Sequence, residues 1–123
     1  FDKLIELNEI GIADKESTFF LALANKNLGG SSIVLDHGEG NVKVKCRPLF
    51  DVLKENKIEK IDLLKIDIEE AEPLALNPFF EIAPRTLFPK MIFIESDENI
   101  ELLKLGYKFI KRTRAHNSIY VLK

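Results

Sequence analysis

Carboxylates crowded at the end of an apolar run can take a proton from a bound molecule or hold a positive charge, and the segment from Ile61 to Glu72 supplies them. Asp67, Glu69, Glu70 and Glu72 follow Ile61, Leu63, Leu64, Ile66 and Ile68. That apolar density suits a strand covered by helices on both faces. Asp67 then stands at the strand's carboxyl end, where open α/β sheets bind their ligands. Asp67 is the first candidate for positioning a bound molecule or for a general base, and Glu69 the second, with Glu72 three residues on. The same acids also suit the N-terminus of a following helix, so capping is an equally physical reading of residues 67–72. An Asp-x-Glu pair with a further Glu is a donor set for a hard cation such as Mg²⁺. It lacks a third fixed ligand from elsewhere in the chain, and no metal is assigned.

Few other residues carry chemistry. His37 and His116 are the only histidines, each in a polar stretch, and an imidazole there can act as a base near neutral pH. Cys46 is the single cysteine, with no CxxC partner and no zinc spacing, so it forms no disulfide within the chain and suits a reducing, cytoplasmic compartment. Lys65 is expected to pair with Glu95 on a neighbouring strand as a structural ion pair. Asp14 follows Gly11 in a turn-forming stretch.

The elements that must position these groups alternate along the chain. Leu4–Ile10 reads as a strand and Gly11–Glu16 as a turn, followed by a β-prone run from Thr18 to Leu23. Residues 25–40 hold Gly29-Gly30 and Asp36-His37-Gly38-Glu39-Gly40, an irregular excursion. Val42–Cys46 alternates with period two, as a half-buried strand does. Pro48 opens a helix reaching Asn56, striped by Leu49, Phe50, Val52 and Leu53. After the Ile61 strand, Pro73 starts a helix that Asn77-Pro78 is expected to end. Pro84 and Pro89 bracket a loop, and Lys90–Glu95 makes another buried strand. Asp97 is placed to cap a helix over Glu98–Leu105, ended by Gly106. Tyr107–Ile110 and Ser118–Leu122 are joined by the short basic stretch Lys111–Asn117, which predicts an antiparallel hairpin.

The whole chain is one domain's worth at 123 residues, with no internal repeat or low-complexity tract. Its 46% hydrophobic content, nine Phe and 31% charged residues describe a globular domain. A net charge of −2 gives no reason to expect nucleic acid as a partner. No apolar run approaches the roughly 18 residues of a membrane span, and no signal segment opens the chain, so no membrane partner is expected.

Several of these stretches occur together, in order, in one known family. Lys65-Ile66-Asp67-Ile68-Glu69-Glu70-Ala71-Glu72 resembles the Lys-Ile-Asp-Val-Glu-Gly-x-Glu signature of the FkbM family of S-adenosylmethionine-dependent methyltransferases. Upstream, Glu6 to Glu16 is similar to that family's strand and Ala-Leu-Ser-Asp-x-x-Gly turn, Gly29-Gly30-Ser31-Ser32 to a following loop, and Val44–Leu53 to its Val-x-x-x-x-Leu-Asp-Asp-Leu segment. Downstream, Pro89–Glu95 resembles Pro-x-x-Ile-x-x-Glu, Leu103–Tyr107 resembles Leu-x-x-x-Gly-Tyr, and Asn117–Tyr120 resembles Asn-x-x-Tyr. One departure is internal: Glu70 stands where the family usually has Gly, the residue that permits unusual backbone turns.

The resemblance implies an α/β fold with a partial Rossmann-like, class I methyltransferase sheet, mostly parallel and closed by a C-terminal antiparallel hairpin. The family's opening strand, Gly-rich turn and ribose-binding acid are not matched before Phe1, so residues 1–123 are expected to form a single FkbM-like domain lacking its first βα units. Removing those strands would expose a sheet edge, which predicts self-association. The implied cofactor is S-adenosylmethionine, and the implied acceptor is a sugar or other small-molecule hydroxyl. Ile12, Ala13 and Asp14 match the positions where related methyltransferases approach the adenine, although Asp14 is equally a turn former. Asp67, Glu69 and His116 are the expected catalytic residues, His116 because the final hairpin borders the acceptor side in related folds. A degenerate, non-enzymatic binding or assembly module is the alternative.

Overall fold

The protein is described from a computed structural model, which covers residues 4–21 and 42–123. The irregular excursion over residues 25–40, with His37 and the Gly29–Ser32 loop, and the expected end of the Phe-rich run at residues 22 and 23 lie outside the described residues.

A small sheet opens the fold. Val42–Arg47 (β3) buries Cys46 while Lys43 and Lys45 face solvent, the alternation its sequence predicts. It pairs antiparallel with Ser17–Leu21 (β2) and parallel with Gly11–Ile12 (β1). The strand expected over Leu4–Ile10 is not formed. Pairing reaches only Gly11 and Ile12, and Leu4, Ile5 and Leu7 stand 84%, 68% and 80% exposed. β propensity makes a strand only where a neighbouring chain accepts its hydrogen bonds and packs its side chains.

Helix α1 (Leu49–Glu55) starts directly after Pro48, whose fixed φ suits a helix entry. Arg47 at the end of β3 makes a two-pronged bond to Glu55 at the end of α1, at 2.5 and 2.6 Å, tying strand to helix.

The larger sheet holds Leu63–Ile66 (β4), Met91–Ile94 (β5), Tyr107–Arg112 (β6) and Ser118–Leu122 (β7), in the order β4-β5-β7-β6. β4 and β5 run parallel with Ile66 opposite Ile94, whereas β5–β7 and β6–β7 are antiparallel. The terminal hairpin is as its short connection predicts. Among the described residues parallel pairing is therefore confined to β1–β3 and β4–β5, and these residues form a mixed α/β arrangement of two sheets and two helices.

The core lies on one face of this sheet. Helix α2 (Glu72–Ile82) lays Ala75, Leu76, Phe79 and Phe80 against Ile66, Ile92 and Ile94, and Leu49, Phe50 and Leu53 of α1 pack against the same cluster. Phe79, Phe80, Phe88 and Tyr107 meet edge-on or tilted, with ring centroids 4.9–6.4 Å apart. The opposite face of β4 and β5 is less covered than its apolar sequence suggests: Leu63 and Lys65 are exposed, and Met91 and Phe93 are half-buried. β4 thus reads as a strand with one packed face rather than two.

Two helix expectations are revised. α2 continues through Pro78 instead of ending at Asn77. Proline removes one hydrogen bond, to the carbonyl of exposed Leu74, while Ala75, Leu76, Phe79 and Phe80 on either side are buried and hold the helix to the sheet. Conversely, Glu98–Leu105 does not become an α-helix. Asn99 adopts a left-handed φ of 64°, and the Asp97 carboxylate, expected as a cap, accepts the Tyr120 hydroxyl instead. What remains is a loose turn in which the Leu105 N–H is shared between the carbonyls of Glu101 and Leu102, at 3.2 and 3.1 Å. Gly106 ends it with φ 101°, a value that requires glycine, and a Cβ there would lie 2.5 Å from Arg85 Nη2. No helix among the described residues is long and apolar enough to cross a membrane.

Candidate active site

Parallel pairing of β4 with β5 decides which side chains meet. Because Ile66 and Ile94 are partners, the residues that follow them, Asp67 and Glu95, leave the sheet side by side. The turn after Asp67 adds Glu69, and carboxylate oxygens of Asp67, Glu69 and Glu95 all lie within 4.8 Å of one another, exposed to solvent. Asp67 and Glu69 were legible in the sequence; Glu95 was not. Its signal was present as a second apolar strand ending in acid, but only the register sets Glu95 beside Asp67.

Mutual repulsion has a measurable consequence. The Glu95 carboxyl is pushed above the ordinary carboxylate range, first by its hydrogen bond with Asp67, then by the charge of Asp67, by partial desolvation and by the charges of Glu69 and Glu72.

The turn itself is unusual. Glu69 and Glu70 both have left-handed backbones, with φ of 51° and 72°. At Glu70 this is the conformation a glycine would adopt freely, which explains why Gly is the ordinary residue at that place in the resembling signature. Glu72, in the first turn of α2, is only 1% exposed; its Oε1 accepts the Ile68 N–H at 3.3 Å and its Oε2 has no hydrogen-bond partner. Glu72 therefore braces the turn from within; no side chain caps α2, so of residues 67–72 only Glu72 stands in the helix's first turn, and its hydrogen bond serves the turn that precedes the helix.

Beside Asp67 lies a cavity of about 390 Å³ between β1, α1 and β4, walled by Ile12, Leu49, Leu64, Ile66, Ile68 and Ala75. It is a mostly apolar cleft whose lining also includes Lys65 and Asp67, within the size range of small-molecule sites. Of the three residues expected near an adenine, Ile12 lines this cleft. Ala13 is buried, its N–H donated to the Arg47 carbonyl at 3.0 Å, and Asp14 is exposed and outside the lining.

His116 sits in the β6–β7 turn with φ 63°, its backbone N–H donated to Thr113 O at 3.0 Å. Because Ser118 is opposite both Ile94 and Arg112, that turn lies at the same end of the sheet as Asp67 and Glu95. The imidazole is exposed, and no described hydrogen bond joins it to the acids. Arg112 is nearer: its guanidinium donates to the Glu95 carbonyl at 3.3 Å and to Ser118 Oγ at 2.9 Å. The ion pair expected between Lys65 and Glu95 is not formed; Lys65 lies opposite Phe93 and joins none of the ion pairs among the described residues. Tyr120, which closes the site's flank by bonding Asp97, has its hydroxyl pushed up to about 12, mainly by burial and then by that bond.

Fold and site together define a mixed α/β domain with three carboxylates at the ends of two parallel strands and a mostly apolar cleft beside β4. The family model for the methyltransferase FkbM domain matches residues 2–116, and the chain belongs to that family. Comparison with curated proteins and with solved structures gives no match.

Proposed function

We propose that the chain is part of an S-adenosylmethionine-dependent O-methyltransferase acting on a sugar or other small-molecule hydroxyl. The observation that carries this reading is the apolar cleft opening onto Asp67, in a chain of a methyltransferase family. In support of a donor here, Ile12, Leu49 and Ile68 offer apolar contact to a purine, and Asp67, with Glu69 and Glu95 nearby, outweighs Lys65 and favours a cationic centre. When bound, S-adenosylmethionine supplies an electrophilic methyl group on a sulfonium sulfur.

The chain's own task is to hold an acceptor oxygen in line with that methyl and to remove its proton. Asp67 is the base in this reading. An Asp67 carboxylate oxygen would take the hydroxyl proton as the methyl–sulfur bond of the donor breaks in favour of the new oxygen–carbon bond, with S-adenosylhomocysteine as the leaving group, and the proton would pass to solvent through Glu95 and Glu69, which share the cluster. Glu69 and His116 border the acceptor side as positioning groups. Ala13 and Asp14 take part through the backbone that presents Ile12. The reading includes a reducing, cytoplasmic setting, in keeping with the free buried thiol of Cys46. It also includes self-association: β4 has β5 on one side and no strand on the other among the described residues, so its outer edge offers backbone groups to a second copy. Binding of the product S-adenosylhomocysteine tests the donor assignment.

A further inference from the structure

The larger sheet carries the core on one face, and its register defines the other face as two rows of side chains. Leu63, Met91, Val121 and Lys108 stand opposite one another from β4 across to β6, and Lys65, Phe93, Ile119 and Lys111 form the next row. Directly opposed residues share a face, and alternation sets these rows away from Ile66, Ile92, Ile94 and Tyr120 of the core. The centre of the face is apolar: Leu63 is 53% exposed, and Met91, Phe93, Ile119 and Val121 are half-buried. Lys65, Lys108 and Lys111 flank it, all exposed, and no carboxylate stands in either row. These lysines join none of the ion pairs among the described residues.

The same chain carries the complement of that face. Leu4 to Glu9 is exposed throughout, so Leu4, Ile5 and Leu7 have no apolar cover, and Glu6 and Glu9 join none of the described ion pairs. Apolar patches of this kind, rimmed by charge, mark interaction surfaces. We propose that two copies of the chain exchange this segment: Leu4–Ile10 of each lies across the lysine-flanked face of the other, its apolar side chains on the rows and its glutamates among the lysines. Fully extended, the segment reaches about 23 Å, whereas four strands about 4.8 Å apart are about 15 Å across, so it spans the face. Charge selects this occupant. Two copies packed face to face would set lysine against lysine, but the segment brings two carboxylates to three ammonium groups. Exchange in both directions closes the pair and leaves no segment or face unused. The contact deepens the self-association proposed above and rests on it, with a face and a segment in place of the outer edge of β4; methyl transfer plays no part in it.

Sedimentation equilibrium of two charge-reversed variants, alone and mixed, tests the exchange. Glu6→Lys/Glu9→Lys makes segment and face both basic, and Lys65→Glu/Lys111→Glu sets acid in both. Each variant alone should self-associate about tenfold or more weakly than the parent, because like charges meet. Mixed in equal amounts, they should form a one-to-one dimer about as tight as the parent's, because each segment then meets a face of opposite charge. All four positions are exposed, and thermal unfolding checks that the variants fold. Self-association that survives in both variants alone would leave the β4 edge as the contact and overturn the exchange. Loss without recovery on mixing, in variants that unfold as the parent does, would overturn it too. A parent that stays monomeric up to about 0.5 mM would overturn the exchange and the edge contact together, and binding of that monomer to anionic vesicles would give the lysine-flanked face to a membrane surface instead.

Discussion

Glu70 bears a conformational burden that its neighbours avoid. A left-handed backbone costs an ordinary L-residue about 1–2 kcal/mol, and glycine returns about 0.5–1 kcal/mol of that gain as chain entropy. With φ at 72°, Glu70→Gly should therefore stabilise the fold by about 0.5–1 kcal/mol in urea denaturation; a loss of stability would show that the side chain makes a compensating contact. At Glu95 the prediction concerns pH. Its carboxyl is raised above its unfolded value, so the folded state holds the proton longer, and stability should decline as pH rises from the ordinary carboxylate range through the raised value. Glu95→Gln should abolish that decline, checked by denaturant midpoints from acid to neutral pH; an unchanged slope would assign the decline elsewhere. The sequence exposes Asp67 and Glu69 because they lie within three residues on one strand end. Glu95 is set by the sequence reading on the neighbouring strand but as a partner of Lys65; only the register, with Lys65 opposite Phe93 and Ile66 opposite Ile94, places it beside Asp67.

At the scale of elements, local pattern succeeds where it is reinforced by packing. β3, α1, β5 and the β6–β7 hairpin follow their alternation, stripe or turn, because each meets a neighbour that rewards the same face. Leu4–Ile10 has the propensity and no partner, so no strand forms. Pro78 has the wrong propensity, yet α2 persists through it. Burial of the helix face is the cause, and Phe79, 1% exposed at the centre of the aromatic cluster, carries the most area. Phe79→Ala should cost about 3–5 kcal/mol, read by chemical denaturation. A cost below about 1 kcal/mol would mean that α2 is not what fixes the core.

Across the whole molecule, the family is legible from ordered short motifs even though no single one identifies it, and the family model spans residues 2–116. The expectation of a mostly parallel sheet reflects what the motifs imply for a complete domain, whereas the described residues pair in parallel only at β1–β3 and β4–β5. The covering of β4 is likewise a matter of the whole: an apolar run predicts burial on two faces, but what covers a strand is set by distant elements. With β4 at the sheet's edge, the chain is predicted to self-associate, giving a mass in sedimentation that rises with concentration; a concentration-independent monomer would contradict this.

Methyl transfer by this chain requires that the cleft beside Asp67 receive the methyl donor. Calorimetric titration of S-adenosylhomocysteine into the protein tests it most directly. One saturable site is expected, with a dissociation constant below about 1 mM, weakened about tenfold or more by Ile12→Asp, which sets a charge into the apolar wall. Absence of saturable binding, or binding that Ile12→Asp leaves intact, would contradict the account and favour a member of the family kept for binding or assembly.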